Sequence, residues 1–252
     1  MLHLIISGCN GYMGKVVAGI AENDADITIV AGFDVNTETR DVFPVYSDPA
    51  EFTGKSDVVV DFSNPSALGG LLAYSISAKT PLILCTTGYS PEQLKQIEET
   101  AEHIPVFKSA NMSLGINLLA DLIRRACAVL GEAYDVEIVE HHHRRKVDAP
   151  SGTALMLAAA AASSLPRESE YIYERHSKNR PREVSEIGIS SVRGGTIVGQ
   201  HDVIFAGLDE VIELKHTASS RDVFAVGAIR AAKYIVNVKS PGLYDMSDIL
   251  KV

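Results

Sequence analysis

With 252 residues, 46% of them hydrophobic, the chain can bury a full core as one large domain or two modest ones. Its 23 basic and 32 acidic side chains leave a formal net charge of -9, which repels nucleic acid and anionic membrane at long range, so any anion it binds needs a locally basic pocket. Cys9, Cys85 and Cys127 form no C-x-x-C pair, so neither a disulfide framework nor a thiolate metal site is expected.

An apolar run starts directly after Met1 with no basic stretch ahead of it, so a secretory leader is not expected and the reducing cytoplasm is the expected compartment. Residues 2–6, 27–31, 58–62 and 82–84 are short, continuously apolar runs, the pattern of parallel strands covered on both faces. Residues 13–23, 66–78 and 91–103 read as the helices that follow them. Strand and helix alternating through short loops predict an α/β fold with a Rossmann-type doubly wound parallel sheet.

Beyond Asn111 the pattern changes. A long helix is predicted over 114–130, a strand over 134–139, then a charged segment, then a helix from Ser151. Its apolar stretch at 155–162 is stopped by Ser163, Ser164 and Pro166, far short of the roughly 20 residues a membrane span requires. Residues 167–186, dense in charge, read as a linker, and 187–193, 196–205 and 210–216 as consecutive antiparallel strands of a smaller α+β unit. Helical periodicity returns over 221–236, and Leu243, Tyr244, Met246 and Ile249 make the tail apolar enough to dock. No internal repeat is present.

The sequence IISGCNGYMG places Gly8, Gly11 and Gly14 where the first strand meets the first helix. There Gly8 makes the tight turn, Gly11 lets backbone approach a pyrophosphate, and Gly14 lets the helix pack closely on the sheet. Asp34, at the end of the second strand, stands where an acidic side chain accepts hydrogen bonds from adenosine ribose hydroxyls. A turn with incidental glycines is the competing reading. The loops Cys85-Thr86-Thr87-Gly88 and Ser109-Ala110-Asn111-Met112 fall at the carboxyl ends of later strands, where open α/β sheets bind ligands, although taken alone they are also ordinary capped turns.

The stretch from Glu140 to Thr153, EHHHRRKVDAPSGT, is unusual in so acidic a chain. If the strand before it continues, His141 and His143 share one face and His142 takes the other. Pro150 then breaks the chain, and Ser151 is suited to cap a helix whose first turn carries Gly152 and Thr153. Free N–H groups there, with Lys146 and His143 nearby, suit a small dianion. Read alone the run is also a solvated basic loop. Metal binding through His141 and His143 lacks a third ligand at a recognisable spacing, so no metal is expected.

On GCNGYMG from Gly8, CTTG from Cys85, ANMSLG from Ala110, EHHHRRKVDAPSGTA from Glu140, VRGGTIVGQH from Val192 and GLYDMSDIL near the end, the chain resembles the bacterial dihydrodipicolinate reductases of lysine and diaminopimelate biosynthesis, essentially end to end. The resemblance implies hydride transfer from NADH or NADPH to the dehydrated form of 4-hydroxy-tetrahydrodipicolinate. It makes His142 the proton donor or acceptor and Lys146 the second proton donor, with His143, Lys146, Gly152 and Thr153 binding the carboxylates of a small dicarboxylate substrate. Gly8, Cys9, Asn10, Gly11, Tyr12, Met13 and Asp34 would contact the nucleotide, and Cys85, Thr86, Thr87, Ser109, Ala110, Asn111 and Met112 its nicotinamide end. Residues 1–112 and 222–252 would form the dinucleotide-binding domain and 113–221 a domain for substrate and for assembly of a homotetramer, with no nucleic-acid or membrane partner.

This sequence departs from the family mainly near the cofactor. Val35 follows Asp34 where many members carry Arg, and Tyr12 stands where some carry a basic residue, so an unaccompanied Asp34 favours NADH over NADPH unless Lys15 or Arg40 compensates. Cys85 replaces a usual Gly and adds a thiol. Two other readings stay open. One is another amino-acid or keto-acid dehydrogenase, for which the DAPSGT helix start is harder to explain; the other is a non-catalytic NADH sensor, which needs no dicarboxylate pocket.

Overall fold

The computed structural model describes residues 1–38 and 42–251, and Arg40, weighed above for the cofactor phosphate, lies outside them. The chain runs through β1 (Leu2–Ser7), α1 (Tyr12–Glu22), β2 (Ile27–Phe33), β3 (Val45–Tyr46), β4 (Val58–Asp61), α2 (Leu68–Ala78), β5 (Leu82–Leu84), α3 (Pro91–Ala101) and β6 (Pro105–Lys108). It continues with α4 (Leu114–Leu130), β7 (Asp135–His142), α5 (Gly152–Ala162), β8 (Glu170–Ile172), β9 (Glu186–Arg193), β10 (Gly199–Ala206) and β11 (Val211–Ala218), and ends with α6 (Asp222–Ile235), β12 (Gly242–Tyr244) and α7 (Met246–Leu250). These elements separate into two compact units, Met1–Ser113 with Asp222–Val252, and Leu114–Arg221.

The first unit is built on a seven-stranded sheet in the order β12-β6-β5-β4-β1-β2-β3, parallel throughout. Its central strands are apolar on both faces because helices cover both, and Val58, Val59 and Val60 of β4 have no exposed surface at all. From β1 the chain winds outward to β2 and β3, then returns to lay β4 on the other side of β1, so β1 and β4 flank the point where the winding reverses. Helix α3 starts at a capping box in which the Ser90 Oγ accepts from the Gln93 N–H and the Gln93 Oε1 accepts from the Ser90 N–H, which stabilises its first turn. Helix α6 brings the chain back to pack on α1, and β12 adds to the sheet beside β6. The sequence reading gives no bounds for β6, although it places the Ser109 loop at the end of a strand, and it names no strand at β3 or β12, whose two or three residues carry too little periodic pattern.

In the second unit a five-stranded sheet has the order β11-β10-β7-β9-β8. Helix α4, which follows the long periodic run as predicted, packs against α5 and β11, and α5 lies on β7 and β9. Ile123, Leu157, Ile138, Ile189 and Phe205 join in the core between them. The expectation of three consecutive antiparallel strands needs correction. Strands β10 and β11 do form an antiparallel pair, but β9 does not touch β10: β7 is inserted between them, antiparallel to β10 and parallel to β9. Strand β10 also begins at Gly199, three residues later than the sequence suggests.

The segment read as a linker is structured as well. It contains β8, and its arginines neutralise carboxylates on the neighbouring strands. Glu186 is fully buried and pairs with Arg175 at 2.5 Å and Arg180 at 2.8 Å, while Arg182 reaches Asp135 at 2.6 Å and Glu137 at 3.0 Å. A buried carboxylate is tolerated only when paired, and this explains charge density in what local composition marks as a loop. Among the described residues no helix is long and apolar enough to cross a membrane, and no group of three His, Cys, Asp or Glu side chains is arranged to hold a metal ion.

Candidate active site

Within the first unit, the Gly8 loop sits at the carboxyl end of β1 beside the end of β4, the crevice in which open parallel sheets bind ligands. Gly8 has φ +74°, and a Cβ there would lie 2.6 Å from the Phe62 carbonyl oxygen; a Cβ on Gly14 would lie 2.1 Å from the Gly8 carbonyl oxygen. Only glycine permits either approach. Helix α1 then starts at Gly11 with no side-chain cap and no acidic residue in its first turn, so its leading N–H groups and positive dipole end are left for an anion. A cavity of about 640 Å³ lies in front, lined by Gly8, Asn10, Gly11, Asp34, Ser63 and Asn64 among others. Glycine cradle, uncapped helix and cavity together fit the pyrophosphate of a dinucleotide.

Asp34 borders the same cavity. One of its oxygens accepts from the Asn10 N–H and the other from the Asn36 N–H, both at 2.9 Å, and the Asn10 amide donates to the Asn36 carbonyl at 2.6 Å. Each carboxylate oxygen keeps a free lone pair, which suits ribose hydroxyls. Val35 is 93% and Tyr12 66% exposed, and neither offers a positive charge; Lys15 is exposed on α1. Cys9 does not line the cavity, and its side chain is fully buried against Gly32. Met112 is likewise a core side chain, its carbonyl packed on Gly227.

Cys85, Thr86 and Thr87 follow β5, and Ser109, Ala110, Asn111 and Met112 follow β6, so both loops lie along the carboxyl edge that carries the Gly8 loop. The Ser109 Oγ donates to the Asn111 carbonyl and the Asn111 Oδ1 accepts from the Ser113 N–H, which folds the second loop back on itself. Burial, and then the charge of Asp61, push the Cys85 thiol well above its ordinary pKa, so it is not a ready thiolate.

The other cluster lies in the second unit. Strand β7 alternates buried and half-buried residues to its end, which turns Glu140 and His142 to the interior and His141 to the opposite face. Glu140, with no exposed surface, is a hub. One oxygen accepts from His142 Nδ1 at 2.5 Å and Arg193 Nη1 at 2.8 Å, the other from Arg193 Nη2 at 2.7 Å and the Ser151 N–H at 3.1 Å. Burial alone raises its pKa, but the hydrogen bonds from Arg193, His142 and Ser191 win and hold it at about 2. His142 is lowered from its ordinary value, burial and the nearby Lys146 and Arg193 charges outweighing the attraction of Glu140.

Helix α5 begins beside this hub. Ser151 caps it, its Oγ accepting from the Ala154 N–H at 3.1 Å while contacting His201 Nε2 at the same distance. The His201 ring packs edge-on to that of His142 with centroids 5.3 Å apart. Beside Nε2 of His142, the missing side chain of Gly199 leaves space: a Cβ there would lie 3.2 Å from that nitrogen. Lys146 is ion-paired with Asp148 at 2.8 Å, and the half-buried His143 accepts at its carbonyl from the Lys146 N–H at 3.0 Å. Arg144 and Arg145 face water, so that part of the basic run is the solvated loop of the competing reading.

Thus the predicted residues fall into two groups, each assembled within one unit. His142, His143, Lys146, Gly152 and Thr153 share the end of β7, the turn after it and the first turn of α5. The sequence reading gave no role to Glu140, Arg193 or His201. The signal for Glu140 was present: in a strand it shares a face with His142, two residues on. Arg193 and His201 become visible only once β9 and β10 are known to flank β7, where Arg193 stands opposite His142 and His201 opposite Glu140.

Comparison with known proteins gives the same outcome along the whole chain. A family model described as dihydrodipicolinate reductase, N-terminus, matches residues 2–112, and one described as dihydrodipicolinate reductase, C-terminus, matches 115–250. The 4-hydroxy-tetrahydrodipicolinate reductase of Caldanaerobacter subterraneus subsp. tengcongensis is 53% identical over 251 residues, covering 100% of this chain and 99% of the relative. That of Clostridium tetani is 48% identical over 252 residues, covering 99% and 97%. Among solved structures, dipicolinate-bound dihydrodipicolinate reductase from Paenisporosarcina sp. TG-14 matches with TM-score 0.84 at 25% identity over 97% of each chain. With both family models matched and relatives of nearly equal length aligned throughout, the chain belongs to the dihydrodipicolinate reductase family.

Proposed function

We propose that this protein reduces the dehydrated form of 4-hydroxy-tetrahydrodipicolinate to tetrahydrodipicolinate, a step of lysine and diaminopimelate biosynthesis, as a cytoplasmic homotetramer that uses NADH in preference to NADPH. The observation that carries the reading is a buried imidazole, His142, held by a carboxylate at the start of a helix suited to substrate carboxylates. A bound nicotinamide supplies the hydride that goes to an unsaturated carbon of the substrate ring.

Gly8, Gly11 and the first N–H groups of α1, including those of Tyr12 and Met13, receive the pyrophosphate, with Cys9 shaping the turn and the Asn10 N–H holding Asp34 for the ribose hydroxyls. Cys85 to Thr87 and Ser109 to Met112 border the nicotinamide end. In the second unit, Gly152 and Thr153 at the start of α5 take one substrate carboxylate, and His143 and Lys146 add charge-assisted bonds. Lys146 exchanges its bond to Asp148 for the substrate as it does so. His142 then gives a proton from Nε2 to the ring carbon beside the one that gained hydride: the enamine electron pair forms the new C–H bond and the imidazolium returns to imidazole. Lys146, the second proton donor of the motif, is the alternative source of that one proton, since hydride and a single proton complete the reduction. Support for a second copy of the chain comes from β11, an edge strand with Val211 and Ile212 exposed.

The direct test supplies freshly made dihydrodipicolinate synthase product and follows oxidation of NADH and NADPH separately. Consumption of reduced nicotinamide that needs both the product and active protein is expected, faster with NADH. No oxidation with either coenzyme refutes the reading, and a melting temperature that pyridine-2,6-dicarboxylate fails to raise in the presence of NADH then favours a cofactor sensor.

A further inference from the structure

Five donors converge on the two oxygens of Glu140: His142 Nδ1 and Arg193 Nη1 on one, Arg193 Nη2 and the Ser151 N–H on the other, with the Ser191 side chain adding a further hydrogen bond. The guanidinium and the backbone N–H can only donate, and a carboxyl group so surrounded has no room for a proton of its own. It is therefore an acceptor towards His142, and Nδ1 must carry the hydrogen between them. A neutral His142 is then protonated at Nδ1 and bare at Nε2, the nitrogen on the Gly199 side. The same carboxylate holds the Ser151 N–H, and Ser151 caps the helix that begins with Gly152 and Thr153. Arg193 also donates to the Asp148 carbonyl at 2.6 Å, tying in the turn that carries Lys146.

We propose that Glu140, clamped by Arg193, is a positioning residue of the reaction: it fixes the Nδ1–H form of His142, so that Nε2 is the atom that exchanges protons with the substrate, and it holds the start of α5 in register with that nitrogen. This rests on the assignment of His142 as the proton donor. The groups that face His142 are Glu140 on its own strand, Arg193 from β9, His201 from β10 and Lys146 from the following turn. Among them Glu140 is the one anion, and without it the imidazolium needed for donation is harder to form.

The test uses full-length protein carrying 15N-labelled histidine, with the His142 signals identified by their loss in His142→Gln. Wild-type His142 is expected to be Nδ1–H in its neutral form. Glu140→Gln keeps the shape but turns an N–H towards Nδ1, and it should move His142 to the Nε2–H form. Its turnover is expected to fall on the order of 100-fold with dinucleotide affinity unchanged. Its remaining activity should decline with rising pH from a lower pH than in the wild type, because the imidazolium has lost its anion. A folded Glu140→Gln variant with turnover near wild type overturns the proposal, and so does an inactive one whose His142 stays Nδ1–H. Should that variant fail to fold, the wild-type signals decide, and an Nε2–H tautomer there overturns the proposal. Wild-type turnover in His142→Gln brings down the assignment of His142 itself, whereas an inactive His142→Gln beside a wild-type Nε2–H tautomer brings down only the role of Glu140.

Discussion

Acid should loosen the second unit through His201, and the size of the effect follows from its surroundings. Its Nε2 contacts the Ser151 hydroxyl, but its Nδ1 is buried without a partner, so a second ring proton would find no acceptor. Burial, reinforced by the charge of His142, lowers its pKa from 6.5 to about 4. An unfolded chain therefore takes up this proton at higher pH than the folded one, and stability present above about pH 6.5 is lost as pH falls towards 4. The full window is worth about 3 kcal/mol, of which about 2 kcal/mol is gone by pH 5. His201→Gln removes the titration and keeps a neutral polar group. Hydrogen exchange of the β10 amides, corrected for intrinsic rate, measures the opening free energy of that strand at about pH 7.5 and about pH 5. His142 and His216, also lowered, persist in the variant, so it should still weaken on acidification, but by about 2 kcal/mol less than the wild type. An equal loss in both proteins would refute the assignment of the acid sensitivity to His201.

Three further outcomes are expected. Gly14→Ala forces a Cβ to 2.1 Å from the Gly8 carbonyl oxygen; the loop must shift, NADH titration should show binding lost, and stability should drop by about 2 kcal/mol or more. Val35→Arg places a guanidinium on an exposed site next to Asp34 and should move the ratio of kcat/KM for NADPH over NADH upward by about tenfold, read from parallel steady-state rates; an unmoved ratio would mean that the adenosine end lies elsewhere. Lys146→Ala should raise KM for the substrate and lower kcat by roughly 100-fold, leaving the NADH dissociation constant alone, since the dinucleotide cavity is lined by other residues.

Local pattern carried the first unit well. The apolar runs of β1, β2, β4 and β5 and the glycine spacing at their ends are short-range features, and all lie where continuity and turn chemistry place them. The misplaced parts depend on distant pairings. Nothing near residues 186–193 reveals that β9 will lie parallel to β7, fifty residues earlier, rather than against β10. The arginines of 175–182 read as solvated charge because their buried partner, Glu186, is opposed to them only after folding. The candidate site divides in the same way. His142 and Lys146 are legible within one motif, whereas the clamp on Glu140 that orients His142 needs Arg193 from β9, and the ring packed against His142, His201, comes from β10.

The two fully buried carboxylates of this sheet are neutralised in different ways, and the difference separates structure from function. Glu186 is held by Arg175 and Arg180, both permanently charged, so no proton can move there without leaving a buried charge unpaired. Glu140 is held by one permanent cation, Arg193, through both of its oxygens, and by one partner that can change its charge, His142. When His142 gives up a proton from Nε2, the Nδ1–H bond to Glu140 survives and Arg193 still neutralises the carboxylate. The buried network therefore tolerates either state of the imidazole, as repeated proton delivery from an enclosed site demands.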